Sequence, residues 1–125
     1  MSDTYPNQDL DLTLLNEIAD GSNEFMVESI DMFMQQTPEL LQTITDSIAQ
    51  KDWVVAGASA HKLKPTLGFF GMLDTQELIQ QVEHACKDGG KNPGDISVKF
   101  NQAKATVAAN IITLTKLRAE LSALL

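Results

Sequence analysis

Apolar side chains recur along this chain in steps of three and four residues, the period of a helix with one buried face. Met26, Ile30, Phe33, Thr37, Leu40, Ile44 and Ile48 keep that spacing straight past Pro38 without a break in phase. The pattern predicts one long helix to about Gln50, capped by Ser22 or Asn23 and bent at Pro38, in preference to a second helix starting there. A short helix from about Leu10 to Ala19 precedes it, with Leu14, Leu15 and Ile18 on one face and a stop at Gly21. Asp52 is placed to cap a third helix, from Trp53 to about Phe70, whose stripe is Ala56, Ala60, Leu63, Leu67 and Phe70 and which Gly71 ends. Asp74-Thr-Gln-Glu77 reads as a capping box for a fourth helix that buries Leu78, Val82 and Ala85 and terminates at Gly89-Gly90. After the turn Lys-Asn-Pro-Gly, Asp95 is expected to cap a last helix carrying Ile96, Phe100, Ala103, Val107, Ile111, Leu114 and Leu121. No segment alternates with period two for long enough to make a strand.

The expected fold is therefore all-α: an antiparallel four-helix bundle with an additional short N-terminal helix. Residues 1–9 read as a disordered lead-in and residues 10–125 as one helical domain, a length that one core serves well. Nine Lys and Arg stand against 17 Asp and Glu, a formal net charge of −8. Such a field repels phosphate backbones and anionic lipid, so neither nucleic acid nor membrane is an expected partner. The N-terminus lacks the basic and apolar regions of a signal peptide, and no apolar run is long enough to span a bilayer. The lone Cys86 fits a reducing compartment, and a cytoplasmic monomer is expected. The start at Met1 and the end just after the last helix favour a stand-alone protein.

Candidate chemistry narrows by elimination. The chain has no phosphate-binding loop, no dinucleotide fingerprint and no paired Glu-x-x-His motifs of a di-iron bundle. One Cys and two His cannot complete a structural zinc site without carboxylates. No nucleophile with a base and an orienting third group is visible, so autonomous catalysis is not expected. The informative stretch is Ala60-His61-Lys62-Leu63-Lys64-Pro65-Thr66-Leu67-Gly68-Phe69-Phe70-Gly71. At about 100° per residue, His61 lies roughly 130° from the centre of its helix's core stripe and should face solvent. Gly57 and Ala58 one turn before it, and Gly68 two turns after, would leave the ring unshielded for another protein's active site. Glycine inside a helix costs about 1 kcal/mol relative to Ala, so its placement needs a reason. Close helix packing is the competing reason. Val54 and Met72 fall near the same azimuth and are expected to rim a docking patch with Pro65. His84 reads as structural or solvated, Cys86 as a small core residue, most methionines as packing, and Asp31, Glu39 and Asp46 as a solvated face.

The string A-H-K-L-K-P-T-L-G-F-F-G-M resembles the signature of histidine-containing phosphotransfer (HPt) domains. That pattern is His, any residue, Leu, Lys, then Gly seven and ten positions after the His, met here by His61, Leu63, Lys64, Gly68 and Gly71. The stretch from Leu10 through Asp20-Gly-Ser-Asn-Glu-Phe to Thr37-Pro-Glu-Leu-Leu is similar to the family's opening helices, so the resemblance covers about residues 10 to 122. It implies a phosphocarrier rather than an enzyme. His61 would accept a phosphoryl group at Nε2 and exchange it with an aspartate on the receiver domain of a response regulator or hybrid histidine kinase. Lys64, one turn on, would neutralise the phosphoryl oxygens. The resemblance implies no cofactor of the chain's own; the receiver would bring Mg²⁺. Pro65 departs from the family, which commonly has Gly there, and its missing amide predicts a bend or a bound water just after the His. A helical adaptor that carries no phosphate and the input domain of a chemotaxis-type kinase are the alternative readings.

Overall fold

The computed structural model describes residues 3–125. Five helices make up most of them: α1 (Thr13–Ala19), α2 (Asn23–Ala49), α3 (Trp53–Phe69), α4 (Leu73–Lys87) and α5 (Pro93–Ser122). Helices α2 to α5 form a ring in which α2 packs on α3, α3 on α4, α4 on α5, and α5 back on α2. Short loops make neighbours antiparallel, and α1 lies against α2. The fold is the expected all-α four-helix bundle with a short extra N-terminal helix.

Helix α2 runs unbroken through Pro38 because that ring is exposed, so the carbonyl it leaves unpaired can meet water. Ser22 caps α2 by accepting from the Phe25 amide, and Asp52 caps α3 by accepting from the Val55 amide, both as expected. The core stripe of α3 is also as read: Ala56, Ala60, Leu63, Leu67 and Phe70 are buried, with the Phe70 ring 4.6 Å from that of Phe33 on α2. Gly71 ends α3 at φ +67°, where a Cβ would collide with the backbone of Asp11.

Other expectations are corrected. In α1 the buried residues are Leu15 and Ala19; Leu14 and Ile18 are about half exposed, and the helix begins at Thr13. In α2 it is Leu41, not Leu40, that is buried. The buried stripe of α4 is Thr75, Ile79, Val82, Glu83 and Cys86, a phase that leaves Leu78 and Ala85 only half-buried. Asn92 rather than Asp95 caps α5, with Pro93 in the first turn and the Asp95 amide donating to the Asn92 side chain.

The largest departure is at the N-terminus. Residues 1 and 2 of the expected disordered lead-in lie outside the described residues, but residues 3–9 are folded. A two-residue ladder pairs β1 (Thr4–Tyr5) with β2 (Leu10–Asp11) around a 3₁₀ turn at Pro6–Gln8. Asp9 then takes the capping role expected of Asp74: its carboxylate accepts from the amides of Asp74 and Thr75 and from the Thr75 hydroxyl, at 3.1, 2.7 and 2.7 Å. The Asp11 amide donates to the Phe70 carbonyl, and Asn110 in the middle of α5 donates to the Asp9 carbonyl. Composition predicts disorder here because these partners are more than fifty residues away in sequence, where a local reading does not look.

Asp9→Gly keeps the left-handed backbone of this position (φ 53°) accessible while removing all three capping bonds. It should lower stability by about 1–2 kcal/mol and the melting temperature by roughly 4–8 °C. Asp74→Ala should stay within about 0.5 kcal/mol of the native protein. Equal losses in the two melts would place the cap back on Asp74.

Candidate functional site

His61 sits at the middle of α3 with 66% of its side chain exposed, as its azimuth predicts. Its inner nitrogen, Nδ1, is 2.8 Å from Oε2 of Glu83 on α4. Glu83 is almost wholly buried, and two lysines share it with the ring. Lys64 Nζ is 2.6 Å from Oε1, and Lys87 Nζ is 2.6 Å from Oε2. Lys64 is itself mostly buried, whereas Lys87, at the last position of α4, has 60% of its side chain exposed.

The electrostatics follow from that packing. Burial is the largest single influence on the Glu83 carboxyl and by itself would raise its pKa. Hydrogen bonds from Lys64, Lys87 and His61 together outweigh it and hold the group down to about 2. Glu83 is thus an anion at neutral pH, and an ionised carboxylate only accepts hydrogen bonds. Nδ1 of His61 must therefore carry the proton of the neutral ring. The lone pair is left on Nε2, on the side of the ring that faces solvent.

Glu83 is the site residue that the sequence reading missed. An amphipathic stripe drawn through Leu78, Val82 and Ala85 leaves it at the edge, and a carboxylate is not sought in a core. The signal that could have found it is register. In an antiparallel pair turning at Gly71, positions about ten residues either side of the turn meet, and His61 and Glu83 are 22 apart.

The expected docking residues divide. Ala58 and Pro65 are exposed beside His61, and Val54 is 84% exposed. Met72 is fully buried and forms no part of a rim. Gly57 is buried too: a Cβ there would press on the Cβ of Cys86, so this glycine lets α3 and α4 approach closely rather than baring the His. Over Gly68 lies the amide of Gln76, which donates to the Lys64 carbonyl at 3.0 Å; a Cβ would displace it. Pro65 does not interrupt α3, which is helical from Trp53 to Phe69. Beside it, Phe25, Met32, Gln36, Thr66 and Phe69 help line an open, mostly apolar groove between α2 and α3.

His84 is exposed and is not among the partners of Glu83. Cys86 is buried, and its desolvation pushes the thiol pKa up, as suits a packed rather than reactive cysteine. Of the methionines, Met26 is buried, Met34 half-buried and Met32 56% exposed. Asp31 is not merely solvated: Arg118 of α5 grips it with two bonds of 2.9 and 3.1 Å. Among the described residues no cluster of three or more His, Cys, Asp or Glu forms a metal site. Among the same residues no helix is long and apolar enough to cross a membrane.

Comparison with known proteins bears on the fold and the family. No curated protein sequence matches the chain. Among solved structures it is similar to the crystal structure of the HPT domain from the Hpt sensor hybrid histidine kinase of Shewanella. The TM-score is 0.65 and the identity 21%, over 94% of this chain and 93% of that one, a likeness of fold. The Hpt domain family model matches residues 28–125. The chain belongs to the Hpt domain family, the histidine phosphotransfer domains of two-component signalling, which carry phosphoryl groups rather than act as autonomous enzymes.

Proposed function

We propose that His61 is the phosphorylated residue and that this chain exchanges its phosphoryl group with the aspartate of a receiver domain in a multistep relay. One observation carries the reading. Of the two histidines, only His61 has its inner nitrogen held by a buried, ionised carboxylate while the outer one stands open to solvent. In the transfer, the Nε2 lone pair attacks phosphorus in line with the acyl phosphate. The N–P bond forms as the P–O bond breaks, and the aspartate leaves with the electron pair. The ring becomes a cation that keeps its proton on Nδ1, and Glu83 stabilises it there. Return of the phosphoryl to a second receiver is the same step reversed. Lys64, one turn from His61, has three protons to share and can turn one toward a phosphoryl oxygen. The chain has no cofactor of its own on this reading, and the receiver's acidic pocket supplies Mg²⁺.

The receiver would dock over the groove between α2 and α3, with Met32, Pro65 and Phe69 as its apolar floor beside His61. Charge favours the α3 side of that groove over its α2 side. The first 50 residues carry ten Asp and Glu and no Lys or Arg, whereas residues 51–91, which include α3 and α4, carry five of each sign. An acidic partner pocket therefore meets less repulsion from α3 and α4 than from α2.

His61→Gln should abolish acceptance of label from a phosphorylated receiver while leaving the melting temperature nearly unchanged, and His84→Gln should accept normally. Label on the His61 variant would move the site to His84. Glu83→Met, which keeps side-chain length and removes both acceptor oxygens, should slow transfer by about tenfold or more, because the ring loses its fixed tautomer. Acid titration provides an independent check. The folded pKa of Glu83 is depressed to about 2 from 4.5, so its stabilisation is complete above pH 4.5 and is lost as pH falls toward 2. The stability difference between the native protein and Glu83→Met should change across that window and be flat above it.

A further inference from the structure

Lys64 has two demands on it. In the resting structure its ammonium is bound to Oε1 of Glu83, and its side chain is mostly covered. To meet a phosphoryl group on His61 it must loosen that bond, and a buried carboxylate stripped of its counter-ions is strongly unfavourable. The groups that face Glu83 are His61 and Lys64 from α3 and Lys87 from α4. Apart from Lys64, Lys87 is the one lysine on the carboxylate.

We infer that Lys87 is the standing counter-ion of Glu83, and that it frees Lys64 to move to the phosphoryl group. This rests on the reading of His61 as acceptor and Lys64 as the cation beside it. Three features suit Lys87 to the standing role and Lys64 to the mobile one. Lys87 lies four residues after Glu83 on the same helix, a spacing at which the pair is held whatever α3 does. It is the last residue of α4, where the helix dipole favours a cation. It also binds Oε2, the oxygen that orients His61, so Oε1 alone changes partner when Lys64 leaves. Lys87 is a positioning residue in this scheme, because it acts through the carboxylate that orients the ring.

The consequence is an energetic coupling between two lysines that do not contact the phosphoryl group together. With Lys87 absent, Lys64 is the only lysine on the carboxylate when the phosphoryl group approaches, and it is held there. The test is a double-mutant cycle on initial transfer rates from a receiver domain phosphorylated at its aspartate, using Lys64→Ala, Lys87→Met and the double variant. Each single change should slow transfer, by about tenfold, and the double variant should be no more than about twofold slower than Lys87→Met alone. Lys87→Arg, which keeps the charge, should recover most of the native rate. Thermal melts establish that each variant is folded, and Lys87 is exposed enough for its loss to leave the core intact. Effects of the two substitutions that simply multiply, or a native rate for Lys87→Met, would overturn the inference alone. A native rate for Lys64→Ala would overturn both it and the reading of Lys64 beneath it.

Discussion

A carboxylate buried between α3 and α4 organises this protein's working end. Taking Glu83 out of water is costly unless its charge is paired and its lone pairs are filled, and two lysines and an imidazole converge on it from two helices. Each donor is fixed by the same requirement. The ring of His61 is held in one tautomer and one orientation, and Lys64 is drawn in beside it although its length would let it wander in solvent. On the proposed reading the nucleophile is thus prepared before a partner arrives, which lessens the ordering that the encounter must supply.

That convergence needs α4 close to α3, and small residues provide the closeness. Gly57 faces Cys86 across the interface, at a spot where a methyl group would already crowd its neighbour. Since Cys86 lies one turn from Glu83, spreading the helices there would lift the carboxylate away from the ring. The hydrogen bond from Gln76 to the Lys64 carbonyl ties the same two helices together beyond the site. The N-terminal segment contributes at the far end of α4, where Asp9 fills the amides of its first turn. Helix α4 is therefore anchored at its start by a residue outside the bundle and near its end by the charge cluster.

Two prolines show how the bundle tolerates residues that usually break helices. Pro38 and Pro65 both lie on outward faces, where the carbonyl left without an amide partner remains within reach of water. Pro65 also adds to the surface beside the histidine. Its rigid apolar ring extends the groove lined by Met32 and Phe69, so on the proposed reading docking surface and nucleophile share one helix face. Their relative placement is then set by the helix itself rather than by a loop.

How much of this was legible in the sequence follows from the range of the interactions. Helical periodicity, the caps at Ser22 and Asp52 and the stop at Gly71 are local, and a linear reading found them. The exposure of His61 was legible for the same reason, since a residue's azimuth depends only on its own helix. The pairings that span the fold were not. Asp9 capping α4, Asn92 rather than Asp95 capping α5, Met72 and Gly57 lying inside, and Glu83 facing inward were all decided by which helix packs where. A hydropathy pattern ranks Glu83 as a surface residue because it scores one side chain at a time, whereas its burial depends on cations contributed by both helices. The sequence by itself determined the helices and the exposed histidine; the tertiary structure decided which nitrogen of that histidine is free to react, because the carboxylate that sets it comes from another helix.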